Sequence, residues 1–209
     1  SKINNNLILS IHQCNDKYDS LLWIGTQTGL VLYDRKNALL EKVIDERSGL
    51  VNGVVKDTHH TIDDKLWIGT DIGLVEFQNG KIQNTHFHDP YNLSSLTNSI
   101  VWDIFEDNSG ALWFGTNNGV SILSNSTNQF RFYPLTFDVK NTISGYEVRS
   151  IVNDRDEKFW MATQKGLVNY NQSIDFVENY ENGNSLFNDA LSIYKDKKGE
   201  IWVATNGGV

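Results

Sequence analysis

The sequence predicts an all-β protein made of consecutive four-stranded antiparallel sheets, the blades of a β-propeller. The first observation behind this prediction is a phrase of an apolar residue, Trp, a second apolar residue, Gly or Ala, and Thr, which occurs five times. Its tryptophans are Trp23, Trp67, Trp113, Trp160 and Trp202, at intervals of 44, 46, 47 and 42 residues. The second observation is that strand-forming segments and glycine turns recur in step with these tryptophans. A repeat of this length with four short strands is typical of one propeller blade.

Each repeat is predicted to contain four strands joined by tight turns. In the third repeat an apolar strand over 100–105 leads into the polar turn 107–110, where Asp can bond its own backbone and Gly can adopt a positive φ. The Trp strand ends at Asn118-Gly119, the strongest hairpin signal in the chain. A third strand over 120–123 and a weaker, more polar fourth strand over 130–133 complete the unit. We therefore expect one partial propeller domain over 1–209, with blades over 1–47, 48–93, 94–141, 142–184 and, incomplete, 185–209.

The repeated tryptophans are predicted to be structural. A small four-stranded sheet cannot bury both faces alone, so it has to stack on its neighbours. One Trp per blade would then fill the wedge between adjacent blades. The glycines that follow the first three of them, Gly25, Gly69 and Gly115, would leave room for a neighbouring backbone or ring. Core packing is therefore the expected role of these indoles, in preference to a ligand cage.

Composition narrows the classes of partner. The chain has a net charge of -8, which argues against nucleic acid or an anionic membrane as the main partner, because both require a basic surface. The single Cys14 excludes an intrachain disulfide. The longest apolar runs are far too short for a membrane-spanning helix, so no membrane contact by this segment is expected.

The run from Asp107 to Val120 has the pattern Asp-x-x-Gly-x-Leu-Trp-[Ile/Phe]-Gly-Thr-x-x-Gly-[Leu/Val]. It resembles the two-component regulator propeller repeat, and the resemblance covers essentially the whole chain. Members of that family form the extracytoplasmic sensor of hybrid histidine kinases, mostly in Bacteroides-type bacteria. Ala162 and Ala204 depart mildly from the pattern, since they stand where the other copies have Gly.

The resemblance implies a non-catalytic, periplasmic sensor that binds glycans or their breakdown products and passes the signal to a membrane-linked kinase. It implies further partners within the parent protein: additional blades, a second propeller and a β-sandwich, followed by a membrane helix and the kinase, in a parent that is a homodimer. A signal peptide and the membrane helix would lie outside these residues. Consistent with this, the chain stops after the second strand of its fifth repeat. We expect a piece of a longer sensor that forms an open arc and that, in isolation, self-associates or is marginally stable.

Few residues point to catalytic or metal chemistry. His86-Phe87-His88 would place two imidazoles on one face of a strand, a spacing compatible with a metal, but the sequence places no third ligand beside them. A polar outer strand is the simpler interpretation, and no metal or cofactor is predicted. His59-His60 is predicted to lie in a turn. The nucleophile elbow, the His-Glu-x-x-His motif, the P-loop and the dinucleotide fingerprint are all absent from the sequence.

Candidate ligand contacts are residues that depart from the repeat pattern on the innermost strands. Trp102 aligns with Arg149 and Leu191 of later repeats. Trp102 could stack on a sugar face, and Arg149 could bind a carboxylate or sulfate. Tyr91 and Tyr146 lie in the loops that lead into these strands. The competing interpretations are packing between blades for Trp102 and a surface ion pair for Arg149.

Three functions remain open at this point. The leading one is a non-catalytic sensor module that binds or relays a glycan-derived signal. The second is a propeller scaffold for protein contacts, with ligand binding elsewhere in the parent. The third is a propeller lyase or hydrolase, since carboxylate pairs that are distant in the chain can meet in a fold.

Overall fold

A computed structural model of the chain describes residues 7–14, 20–51, 53–124, 129–132, 146–155, 158–172, 176–180 and 189–208. Within them the structure has four four-stranded antiparallel sheets and one two-stranded sheet, and each sheet follows the order of the chain. The predicted all-β blade architecture is confirmed. The arc of sheets is not closed into a ring.

The sheets follow one another at the interval of the repeat. The first contains β1 (Ile8–Gln13), β2 (Leu21–Thr26), β3 (Gly29–Asp34) and β4 (Leu39–Ile44), and a short 3₁₀ turn, Glu46–Ser48, follows it. The second contains β5 (Val55–His60), β6 (Leu66–Thr70), β7 (Leu74–Gln78) and β8 (Lys81–His86). The third contains β9 (Val101–Glu106), β10 (Leu112–Thr116), β11 (Gly119–Leu123) and β12 (Phe130–Phe132). The fourth contains β13 (Val148–Asn153), β14 (Lys158–Thr163), β15 (Gly166–Asn171) and β16 (Phe176–Tyr180), and the fifth β17 (Ala190–Lys195) and β18 (Ile201–Thr205).

The first strand of each sheet is the innermost, and these strands stand side by side: β1 packs on β5, β5 on β9, β9 on β13 and β13 on β17. The second strand of each of the first four sheets also packs on the innermost strand of the next sheet. This stacking lets each small sheet bury a face that it could not bury alone. The innermost strands therefore line the inside of the arc.

The repeated indoles lie between sheets. Trp67 and Trp113 are each 1% exposed, and the Trp113 ring stacks on Phe159 of the next sheet with ring centroids 4.3 Å apart. Trp67 also contacts a ring of the next sheet, Phe114, with centroids 5.6 Å apart but in a tilted arrangement. Trp202, in the fifth sheet, is 52% exposed, because none of the described residues forms a sheet over it. Trp23, Trp67 and Trp113 thus belong to the buried cluster of the sheet that follows each of them, and Trp160 packs against the next one.

The Asp that opens the repeat pattern orients this indole. Asp107 Oδ1 accepts hydrogen bonds from the backbone N–H groups of Ser109 and Ala111, which closes the turn between β9 and β10. Its Oδ2 accepts a hydrogen bond from Trp113 Nε1 at 2.8 Å. One carboxylate therefore both forms the turn and fixes the tryptophan, which explains the spacing between Asp and Trp in the pattern.

The glycine two residues after Trp23, Trp67 and Trp113 is required by the close approach of the next sheet. A Cβ on Gly115 would lie 2.6 Å from the carbonyl oxygen of Val148, at the start of the next innermost strand. Gly69 faces Val101 in the same way. In the fourth sheet, Ala162 occupies the glycine position, and there the next innermost strand begins with the smaller Ala190, in the same buried cluster. Glycine thus faces valine at these two junctions, whereas the larger Ala162 faces the smaller Ala190.

Two expectations about histidines are wrong. His59 and His60 lie in the innermost strand β5, not in a turn. His86 ends β8 and His88 lies beyond it, so they do not share a strand face. His86 Nε2 contacts Glu76 Oε1 at 2.9 Å, and His88 Nδ1 contacts the carbonyl oxygen of Leu96 at 2.6 Å. The two imidazoles therefore have separate partners.

Candidate binding channel

The inside of the arc holds a cavity of about 590 Å³, which we call the channel. This volume lies within the range of small-molecule sites, about 300 to 1,000 Å³. All five innermost strands contribute to its wall. The lining residues are Leu9, Ser10, Ile11, Lys56, Asp57, Trp102, Asp103, Glu147, Arg149, Ser150, Leu191 and Ser192.

A β-bulge in every innermost strand forms this lining. The pairing between the first and second strands skips one residue in each of the five sheets. A bulge leaves one residue out of the ladder and re-aims its side chain, and bulges are frequent beside functional sites. The five skipped residues all line the channel: Leu9, Lys56, Trp102, Arg149 and Leu191.

The residue that follows the bulge links neighbouring sheets in two of the five innermost strands. Asp57 Oδ2 accepts a hydrogen bond from the backbone N–H of Ile104 at 2.9 Å, and Asp103 Oδ2 accepts one from Ile151 at 2.6 Å. The other three sheets have serine at this position. Both aspartates are partly accessible from the channel. They were not among the sequence candidates, although their separations from these partners, 47 and 48 residues, are each one repeat plus one residue.

The surroundings of these aspartates favour the protonated carboxyl. Burial raises the pKa of Asp57 to about 7, although the N–H groups of Ile104 and Thr58 act in the opposite direction. Burial and the neighbouring Asp57 carboxylate raise the pKa of Asp103 well above its ordinary value. Two carboxyls that share a partly desolvated site cannot both ionise easily. The pair therefore carries less negative charge at neutral pH than two free aspartates would.

Trp102 and Lys56 form a pair at the bulge positions of adjacent sheets. The Lys56 ammonium lies 3.7 Å from the centre of the Trp102 ring, a close cation–π contact. Trp102 Nε1 donates a hydrogen bond to Asn117 Oδ1 at 2.5 Å, which fixes the plane of the indole. Trp102 is half-buried and lines the channel, so part of its surface is accessible to a ligand.

Arg149 also lines the channel, but its charge is already engaged. Its Nε donates to Glu147 Oε1 at 2.9 Å, and its Nη1 donates to Asp189 Oδ1 at 2.5 Å. Burial works against the charged form, but the bonds to these two carboxylates prevail and raise the pKa of Arg149. The guanidinium sits in a partly buried ion-pair network rather than at an open surface.

The two tyrosine candidates lie outside the channel lining. Tyr91 is 96% exposed, in the loop between β8 and β9. Tyr146 packs beside the core cluster between the third and fourth sheets, and the Lys165 ammonium lies 4.1 Å from its ring centre. The structure therefore brings Trp102 and Arg149 to one cavity and places both tyrosines elsewhere.

A smaller cavity of about 140 Å³ lies under the loop that carries Tyr91. Internal hydrogen bonds hold this loop, among them Asp89 N–H to Ser95 Oγ and Ser95 N–H to the Asn92 carbonyl oxygen. Its apolar tip is left in solvent, with Leu93 91% exposed. The loop, which joins the second sheet to the third, thus presents apolar side chains on a hydrogen-bonded backbone.

Further along the innermost strands, histidines connect the first three sheets. His59 Nε2 contacts Glu106 Oε2 at 2.7 Å, and the His12 ring packs edge-on against His59 with centroids 5.6 Å apart. Burial, with the nearby His59 and His60, lowers the pKa of His12 to about 4.

No group of three potential metal ligands occurs among the described residues. These same residues include no helix long and apolar enough to cross a lipid bilayer.

Comparison with known proteins supports the repeat assignment. Residues 95–118 and 184–207 match the family model described as two component regulator propeller. A curated relative, histidine kinase P4 of Formosa agariphila, is 32% identical over 79 residues, which are 36% of this chain and 6% of the kinase.

Solved structures share the fold. The extracellular domain of a hybrid two-component system from B. thetaiotaomicron superposes with a TM-score of 0.77 at 23% identity, over 97% of this chain and 28% of that chain. Virginiamycin B lyase from Staphylococcus aureus superposes less well, with a TM-score of 0.64 at 14% identity, over 96% of this chain and 64% of the lyase. The chain thus spans less than a third of this extracellular domain. It contains repeats of the two-component regulator propeller type, folded as successive blades.

Proposed function

We propose that this chain is part of the extracytoplasmic sensor region of a hybrid two-component regulator, where it binds a glycan-derived ligand and relays the signal to a membrane-linked histidine kinase. The channel carries this proposal: five bulged strands direct a tryptophan, two basic residues and paired carboxyls into one cavity of suitable size. Aromatic stacking together with a few polar groups is the usual chemistry of small-ligand sites. The likeness to extracellular domains of two-component systems supports the sensor role and a periplasmic location.

The channel also explains how binding could be relayed. Its wall belongs to five successive sheets, and Asp57 and Asp103 bond directly to the next sheet. A ligand that contacts Trp102 and the aspartates would therefore touch residues on both sides of a junction between sheets. A ligand shifts an equilibrium only through different contacts in the two states, and junctions between sheets offer such contacts.

Calorimetric titration of the purified chain with a broad panel of neutral and acidic oligosaccharides tests this function. At least one member of the panel is expected to bind, and Trp102→Ala is expected to weaken that binding about tenfold or more by removing a stacking surface. Trp202→Ala, which removes an exposed indole outside the channel, is the matched control and should leave binding unchanged. Absence of binding by every member would contradict direct sensing.

A second candidate is a scaffold for protein contacts. The loop between β8 and β9 favours it, because Tyr91 and Leu93 are almost fully exposed on a backbone held by internal hydrogen bonds. Exposed apolar side chains on an ordered loop are typical of contact surfaces. If this function is correct, Tyr91→Ser with Leu93→Ser will abolish signalling in the complete regulator while oligosaccharide titrations of the chain stay blank.

A further inference from the structure

The two basic residues of the channel differ in their partners. Arg149 is paired with Glu147 and Asp189, at 2.9 and 2.5 Å. Lys56 has no ion pair with any residue in the described part of the chain, and its ammonium rests on the Trp102 ring instead. A cation–π contact occupies the ring face but uses none of the three ammonium N–H donors in a conventional hydrogen bond. Lys56 is therefore the basic group of the channel that remains available to a ligand.

An available ammonium in a partly desolvated site favours an anion. Lys56 is half-buried, and burial lowers its pKa, although the more distant charges of Asp71 and Glu147 partly compensate. Desolvation weakens the hydration of the ammonium and makes a direct contact with an anion more favourable than it is at an open surface. The neighbouring Asp57 would oppose an anion only in its ionised form, and its pKa of about 7 limits that form at neutral pH.

We infer that the channel recognises an anionic sugar, with Lys56 binding its carboxylate or sulfate beside the Trp102 ring. Lys56 thus takes the role that the sequence assigned to Arg149. Arg149 instead holds Glu147 and Asp189 and so supports the wall between the fourth and fifth sheets. This inference rests on the proposed function, since it names the ligand class of the same site.

The test compares matched sugars and matched variants. The probes are trigalacturonate, a trimer of mannuronate and a sulfated N-acetylgalactosamine disaccharide, each beside its carboxyl-reduced or desulfated neutral counterpart. Lys56→Gln removes the charge but keeps most of the stem, and Lys56→Arg restores a charge. Lys42→Gln is the control, because Lys42 makes a similar cation–π contact with Phe77, at 4.7 Å, away from the channel lining.

At least one anionic sugar is expected to bind the chain about tenfold or more tightly than its neutral counterpart, as a charge-assisted contact requires. Lys56→Gln should abolish this preference, Lys56→Arg should retain most of it, and Lys42→Gln should leave it unchanged. The uronate and sulfate arms identify which anionic group is read.

Two other outcomes overturn the inference and remain distinguishable. If a neutral sugar binds as tightly as its anionic partner, or if Lys56→Gln keeps the preference, the ligand class is wrong while the sensor function stands. If no sugar of this panel or of the broad panel binds, both the ligand class and direct sensing fail.

Discussion

The carboxyl oxygen Oδ2 of Asp103 accepts a hydrogen bond from the backbone N–H of Ile151 at 2.6 Å, and so joins the third sheet to the fourth inside the channel. Asp57 joins the second sheet to the third in the same way, through Ile104 at 2.9 Å. Each bond connects an innermost strand to the next, one repeat further along the chain. The aspartates therefore combine two roles, support of the stack and a polar surface for ligands.

The pH dependence of stability provides a test of this arrangement. Because the folded-state pKa of Asp57, about 7, lies above that of an unfolded aspartate, about 3.9, the folded state holds the proton more tightly. The stabilisation is complete below about pH 4 and is lost as the pH rises to about 7 and beyond. Asn at position 57 can still accept the Ile104 bond but cannot ionise. Asp57→Asn is therefore expected to gain stability relative to the wild type as the pH rises, by about 2 to 3 kcal/mol between pH 5 and pH 8.

Urea unfolding of both proteins at pH 5, 6, 7 and 8 measures this difference. His12 affects both proteins equally and cancels in the comparison, although its lowered pKa makes each of them less stable on acidification from about pH 6.5 towards pH 4. Asp196→Asn, which changes a partly exposed turn carboxylate whose pKa is lowered, should show no such gain at alkaline pH. A stability difference between Asp57→Asn and wild type that is independent of pH would contradict the raised pKa.

The loss of stability on replacing a repeated tryptophan should depend on whether a following sheet covers its ring. Trp113→Ala removes a buried ring that stacks on Phe159, so we expect a loss of about 3 to 5 kcal/mol in the free energy of unfolding. Trp202→Ala removes a half-exposed ring and should cost less than about 1 kcal/mol. Chemical denaturation with an unchanged m-value measures both. Equal losses for the two variants would show that the indoles do not act between successive sheets.

The glycine after the Trp should be coupled to the first residue of the next innermost strand. Gly115→Ala brings a Cβ to within 2.6 Å of the Val148 carbonyl oxygen and is expected to cost about 1 to 3 kcal/mol. Val148→Ala alone should also destabilise, because Val148 is fully buried. Val148→Ala removes the Cγ1 that would lie 3.2 Å from the new Cβ and gives this junction the Ala162–Ala190 pairing of the next one. The double variant should therefore lose less than the sum of the two single losses, by the part of the clash that this side chain causes. Simple additivity would contradict this account.

The repeat could be predicted from the sequence, since Trp, Gly and the turn residues recur at an interval equal to the length of one blade. The bulges could not be predicted, because a strand pattern assumes that side chains alternate strictly between the two faces of the sheet. A skipped residue moves every side chain after it to the opposite face from the one expected. The sequence predicts a turn at His59 and His60, yet both lie in β5, where neighbouring sheets supply Glu106 and His12 as partners of His59.

The candidate site was only partly predictable. The sequence indicates Trp102 because it departs from the aligned repeats. It does not single out Lys56, which stands at the position of Trp102 in the preceding repeat, or Asp57, which stands one residue later. The partners of Arg149 lie 2 and 40 residues away, and pairing over the longer separation depends on the stacking of two sheets. The sequence alone therefore indicates which strands line the channel, but not which of its basic side chains is held in an ion pair.

The indole N–H signals of the six tryptophans offer the most direct test of sensing at the channel. In a chain labelled with ¹⁵N at tryptophan, titration with the anionic sugars should shift the Trp102 signal, while the buried Trp67 and Trp113 signals stay in place. The shift should saturate at the sugar concentrations that the calorimetric affinity gives. In Lys56→Gln the same shift should need about tenfold or more of the anionic sugar. If a sugar binds and the Trp102 signal does not move, the ligand lies elsewhere on the molecule and the channel is not its site.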